Sequence, residues 1–61
     1  MLNQYQDIMT VLDAAEALHV GKNRIYELLD SGFLKGFRIG NVWKIPKEAL
    51  QEYIRIQSNL Q

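Results

Sequence analysis

The stretch "TVLDAAEALHVGKNRIYELLDSG", residues 10–32, carries the reading of the fold. Thr10 is a helix-capping residue, and Asp13 three positions on resembles a capping box with Asp in place of Glu. Val11, Ala14, Ala15 and Leu18 then recur at i, i+3, i+4 and i+7, the spacing of one helical face. The pattern predicts a first helix over 11–18, with small residues at Ala14 and Ala15 where a second helix can approach closely. "HVG", residues 19–21, breaks the periodicity, and a new apolar face begins at Ile25, Leu28 and Leu29. Lys22, Asn23 and Tyr26 lie on another face of that second helix. Gly32 is a helix-stop residue because glycine accepts the left-handed conformation that closes a helix. The second helix therefore spans residues 22 to 30 or 31.

Two short helices joined by about three residues are the sequence form of a helix-turn-helix. The apolar positions agree, with Ala15 in the first helix, Val20 in the turn, and Ile25 and Leu28 in the second. His19 stands where a turn glycine is common.

Downstream lies "FRIGNVWKI", residues 37–45, in which apolar and basic residues alternate around a Gly-Asn pair. This predicts a β-hairpin, with two registers open. A two-residue Gly40-Asn41 loop suits the turn chemistry and sets Ile39 opposite Val42 and Arg38 opposite Trp43. A three-residue loop over 40–42 pairs Ile39 with Trp43 and Phe37 with Ile45. The three-residue loop gathers those four residues on a buried face and makes Arg38 and Lys44 exposed cross-strand neighbours. Burial favours the three-residue loop, although Val42 is then a β-branched residue in a left-handed position. Pro46 is expected as the first residue of a third helix reaching about Gln57, with Ala49, Leu50, Tyr53 and Ile54 as its apolar stripe, extended by Ile56 or Leu60. Ile8 and Met9 are expected to lie as a short extended segment against the core. Residues 1–6 and 58–61 read as loose ends. A domain of α+β class follows: one small unit over 1–61, three helices, and a two-stranded hairpin between the second and third.

Sixty-one residues allow a single small core, which typically supplies roughly 3–5 kcal/mol. Cysteine is absent, which excludes disulfides and thiolate metal sites. One histidine without suitably spaced carboxylates cannot hold zinc, so no metal or other cofactor is expected. His19 has no serine, cysteine or paired carboxylate in a catalytic arrangement beside it, and the glycines form no phosphate-cradling loop. The chain is therefore not expected to be an enzyme or to take a small-molecule substrate. There is no signal peptide or long apolar run. A cytoplasmic location away from membranes is expected, and Met1 suggests a native start.

Formal net charge is zero, but its distribution is uneven. Residues 1–21 hold Asp7, Asp13 and Glu16 with no lysine or arginine. Residues 22–47 hold six basic residues against Glu27 and Asp30, a local excess of +4. A local basic patch matters more than the sum for an anionic partner. In a helix-turn-helix the start of the second helix meets base edges in the major groove. Here that end offers Lys22, Asn23 and Tyr26, with Arg24 on its flank. Asparagine suits adenine, while lysine and arginine suit guanine or phosphate. A hairpin that follows such a motif is a wing, and Arg38 and Lys44 on it would neutralise phosphates.

The run from Asp7 to Ile54 resembles the excisionase-family DNA-binding domain, a compact winged-helix relative of the MerR-type regulators. The matching pieces are "TVLDAAEAL", "VGKNRIYEL" leading into "SGFLKGFRIGN", and "WKIPKEALQEYI". The resemblance implies a winged helix-turn-helix that binds double-stranded DNA sequence-specifically, with Lys22, Asn23, Arg24 and Tyr26 on the recognition helix and Arg38, Asn41 and Lys44 on the wing. It implies a role as a recombination directionality factor or a small transcription regulator. Further copies on DNA, or an integrase or other recombinase, would then be its partners. The family often has Ser or Thr where Gly21 stands and a basic residue where Asn41 and Val42 stand. Fewer charges at the wing tip predict a weaker salt dependence. The rival reading is a protein-interaction module that keeps the fold without binding DNA. It rests on the zero net charge, the acidic first 21 residues, and Ile56 and Leu60.

Overall fold

Thr10 starts the first helix as its spacing predicts. Its hydroxyl accepts the Asp13 N–H at 3.0 Å, and the Asp13 carboxylate accepts the Thr10 N–H at 3.3 Å, which completes the capping box. The computed structural model describes residues 2–58. In chain order they form β1 (Ile8–Met9), α1 (Val11–Leu18), α2 (Lys22–Ser31), β2 (Phe37–Ile39), β3 (Val42–Pro46) and α3 (Lys47–Ser58). The three helices and the antiparallel hairpin between α2 and α3 make a small α+β winged helix-turn-helix.

The turn between α1 and α2 is closed by His19, whose φ of 57° puts a non-glycine residue in the left-handed region. Its N–H reaches the Glu16 carbonyl, and the Val20 N–H reaches the Ala15 carbonyl at 3.0 Å. That hydrogen-bond pair is the αL closure that glycine usually supplies. Val20, expected to pack in the turn, is 39% exposed. Gly32 closes α2 with φ +84°, as its position predicts.

Three strands form one antiparallel sheet in the order β1-β3-β2. Ile8 and Met9 pair with Pro46 and Ile45, so the extended segment expected before α1 becomes an edge strand that widens the hairpin. Pro46 ends β3 and does not open α3, which begins at Lys47.

The hairpin register corrects the three-residue expectation. Ile39 faces Val42, Arg38 faces Trp43 and Phe37 faces Lys44, which leaves a two-residue Gly40-Asn41 turn. Of these two turn residues only Gly40 has positive φ, +63°, the pattern of a II′ turn with glycine at its first central position. This turn matches the strand twist and returns Val42 to extended backbone, where β-branching is favourable. The consequence is a change of face. Alternation puts Arg38, Trp43 and Ile45 on the inner side, and Phe37, Ile39, Val42 and Lys44 on the outer side. Ile45 is fully buried, but Ile39 is 62% exposed and Phe37 44%. Arg38 and Lys44 thus lie on opposite faces and are not cross-strand neighbours.

The core draws at least one residue from every element except β2. Met9, Ala14, Ile25, Ile45 and Leu50 are fully buried, Leu34 nearly so, and the described residues bury no polar or charged side chain. Leu50 is the buried member of the α3 stripe, with Tyr53 and Ile54 packed around the cluster, whereas Ile56 is exposed. Leu60 lies outside the described residues. At the leading segment, Leu2 and Tyr5 pack against the core. The Tyr5 hydroxyl donates to Glu16 at 2.8 Å. The Lys47 N–H donates to the Asp7 carbonyl at 2.7 Å.

Candidate nucleic-acid interface

The start of α2 is chemically open. Gly21 caps it in an extended conformation without a side-chain hydrogen bond, and the first turn holds no acidic residue. A Cβ placed on Gly21 would meet nothing within 4 Å. The Arg24 N–H donates to the Gly21 carbonyl at 3.1 Å, but no side chain caps the Lys22 and Asn23 amides, and the positive end of the helix dipole lies behind them, as an anion requires. At the start of α1 one such donor, the Asp13 N–H, is already engaged by the Thr10 hydroxyl.

Ile25 and Leu29 fix the orientation of α2 by burying its inner face. Lys22 and Tyr26, four residues apart, are then neighbours on the outer face, with Asn23 three residues before Tyr26. All three are exposed, Tyr26 at 41%. Arg24 is exposed on the flank and forms an ion pair with Glu27 at 3.5 Å. Both members are well exposed, so this pair contributes at most about 1 kcal/mol and is easily exchanged for a phosphate.

The wing groups are dispersed. Arg38 is exposed on the inner side, with its guanidinium 5.7 Å from the centre of the Trp43 ring, a cation–π distance. Trp43 is half-buried against the core and acts as a seat for Arg38, so it keeps the inward face expected of it although the register differs. Asn41 is exposed at the turn, and Lys44 is half-buried on the outer face. Lys22, Asn23 and Tyr26 thus form one patch with Arg24 beside it, while Arg38, Asn41 and Lys44 occupy three separate places on the wing.

Not every cation of the basic middle segment is available. Lys47 is engaged by the leading segment, its ammonium 3.6 Å from the Asp7 carboxylate and 3.5 Å from the Tyr5 carbonyl. Lys22, Lys35, Arg38 and Lys44 form no ion pair among the described residues. Sequence reasoning overlooked the apolar outer face of the wing, because the three-residue register assigned Phe37 and Ile39 to the core.

No group of metal-ligating side chains occurs among the described residues, and none of their helices is long and apolar enough to cross a membrane. One shallow depression is lined by Leu18, Val20, Arg24, Leu28 and Tyr53, and another lies between residues 3–8 and Lys47. Neither contains a serine, cysteine or histidine.

A family model described as a helix-turn-helix domain matches residues 8–58, from β1 to the end of α3. A curated protein from Saccharopolyspora erythraea, described as a probable excisionase, is 37% identical over 46 residues. The match covers 75% of this chain and 47% of that protein, so the chain spans about half the length of the relative. No solved structure matches it.

Proposed function

Because this chain belongs to the helix-turn-helix domain family and carries an excisionase-like DNA-binding domain, we propose that it binds double-stranded DNA sequence-specifically through the start of α2. In this reading Asn23 and Tyr26 face base edges in the major groove, and Lys22 and the free amides hold a phosphate. Arg24 releases Glu27 for a second phosphate. The wing lies alongside, with Arg38 and Lys44 reaching the backbone on either side of it and Asn41 at its tip. The observation that carries this reading is the uncapped, acid-free start of α2 beside a cluster of exposed recognition-type side chains.

The relative's description as a probable excisionase supports a role as a recombination directionality factor in the cytoplasm, with a recombinase as partner; a small transcription regulator is the other role such a domain suits. The molecule measures 35 × 25 × 18 Å, so one copy spans about one turn of duplex, roughly 34 Å. Several copies on adjacent sites, or a protein partner, would supply the remaining affinity.

Selection of binding sites from a randomised duplex library tests this reading. Wild-type protein should enrich a defined motif. Asn23→Ala should relax preference at one position at a cost of about 1–3 kcal/mol, and Lys22→Ala should weaken all sequences alike. Failure to enrich any motif, with Asn23→Ala indistinguishable from wild type, would overturn the assignment.

A further inference from the structure

We propose that the depression between the end of α1, the flank of α2 and α3 is a binding site for a small apolar carboxylate. Leu18, Val20, Leu28 and Tyr53 form its walls around a volume of about 360 Å³, and Arg24 is its one charged residue. That volume lies within the roughly 300–1,000 Å³ of small-molecule sites. The composition is theirs as well, with apolar and aromatic walls and a polar group that sets orientation. Leu18, Leu28 and Tyr53 pack against the core, so three of the walls are preformed. Val20 in the turn is 39% exposed and offers the groove apolar surface that the core leaves uncovered.

Charge and size select the occupant. A guanidinium at the rim of an apolar surface calls for an anion, and its fork takes a carboxylate through two parallel hydrogen bonds. Glu27 holds Arg24 at 3.5 Å, but both are exposed, so a carboxylate whose apolar body is buried in the groove displaces it. Five residues line the depression, against about 20–30 on each side of a standard protein interface, so the groove fits a small molecule and not a protein face. Arg24 and Leu28, four residues apart, share one side of α2, whereas Asn23 and Tyr26 lie on another. The groove therefore stays open while α2 meets DNA, and Arg24 is the one residue common to both sites. A consequence that rests on the DNA-binding reading is that the bound carboxylate takes Arg24 from its phosphate and weakens the grip on a duplex.

The test titrates the 61-residue chain with phenylacetate and follows side-chain methyl resonances by NMR. Phenylacetamide serves as the uncharged control, and acetate as the control without an apolar body. Phenylacetate should shift the methyls of Leu18, Val20 and Leu28 saturably, and each control should bind about tenfold more weakly. Arg24→Gln, at an exposed position, should weaken phenylacetate about tenfold and abolish its advantage over the amide. Absence of saturable shifts, equal binding of acid and amide, or an unchanged affinity in Arg24→Gln overturns the proposal. In a second arm, anisotropy of a labelled duplex is measured across a salt series at matched ionic strength, with and without saturating phenylacetate. Bound ligand should make the slope of log K against log salt shallower by about 0.9, the share of one phosphate contact, and Arg24→Gln should erase that difference. A slope that saturating ligand leaves unchanged overturns the competition for Arg24. Absence of any salt-sensitive binding by wild type removes the DNA-binding reading instead, and the NMR titration alone then decides the groove.

Discussion

Replacing Gly36 by alanine tests the packing that sets the wing against α2. A Cβ at Gly36 would lie 2.9 Å from Cδ2 of Leu29, 3.0 Å from the Lys44 carbonyl oxygen and 3.5 Å from Cγ1 of Ile45. The leucine is nearly buried on α2, and the carbonyl belongs to β3, the central strand. Neither moves cheaply. Overpacking of this kind costs about 1–3 kcal/mol. Alanine also restricts the unfolded chain, which offsets about 0.4–1 kcal/mol. The clash prevails, and a net loss of about 1–2 kcal/mol is expected. For a domain of this size that lowers Tm by roughly 5–15 °C, and it removes a large part of the 3–5 kcal/mol such a core supplies. Thermal melts followed by circular dichroism and by Trp43 fluorescence measure the shift. A second variant, Gly36→Ala with Leu29→Val, separates the two contacts. Relief in the double variant assigns the clash to the leucine, and its absence assigns it to the strand backbone. A Gly36→Ala melt that overlays wild type would refute the close approach of α2 and β3.

Three further outcomes follow from local geometry. Thr10→Ala removes half of the capping box and should cost about 1 kcal/mol in denaturant unfolding. His19→Gly relieves a left-handed non-glycine residue and should raise stability by about 0.5–1 kcal/mol, measured the same way. The hydrogen bond to the Glu16 carboxylate favours the protonated Tyr5 phenol and holds its pKa above the ordinary value of 10. This contribution to stability is fully present below the unfolded pKa and is lost as pH rises through the higher folded value. In a phenolate absorbance titration, Tyr5→Phe should delete a component that titrates above the ordinary tyrosine value; deletion of one at or below that value would contradict the assignment.

The helices were legible because each carries redundant local signals. The capping residues Thr10 and Asp13, the apolar spacing and Gly32 all point to the same boundaries, and α1 and α2 fall where those signals place them. The hairpin was harder, since turn chemistry and burial gave opposite answers. Turn chemistry prevailed because Gly40 fits the II′ position and Val42 does not fit a left-handed one, and the core closed without Phe37 or Ile39. Pro46 misled because a first helical position and an edge-paired strand end both tolerate a missing N–H. Lys47 belongs to the basic stretch of the sequence, but the fold turns it toward Asp7 and Tyr5, forty and more residues earlier. For the site residues, sequence periodicity places Lys22, Asn23 and Tyr26 on one face of α2, but the faces of Arg38 and Lys44 depend on a register that a shift of one residue reverses.

Anisotropy of a labelled mixed-sequence duplex, titrated with this protein across a salt series, probes the whole account at its base. With Lys22, Arg24, Arg38 and Lys44 at phosphates, log K should fall with log salt at a slope of about −3.6, and Lys22→Ala should reduce that slope by about one unit. Binding that ignores salt, or a slope that Lys22→Ala leaves untouched, would mean that the open end of α2 does not hold DNA.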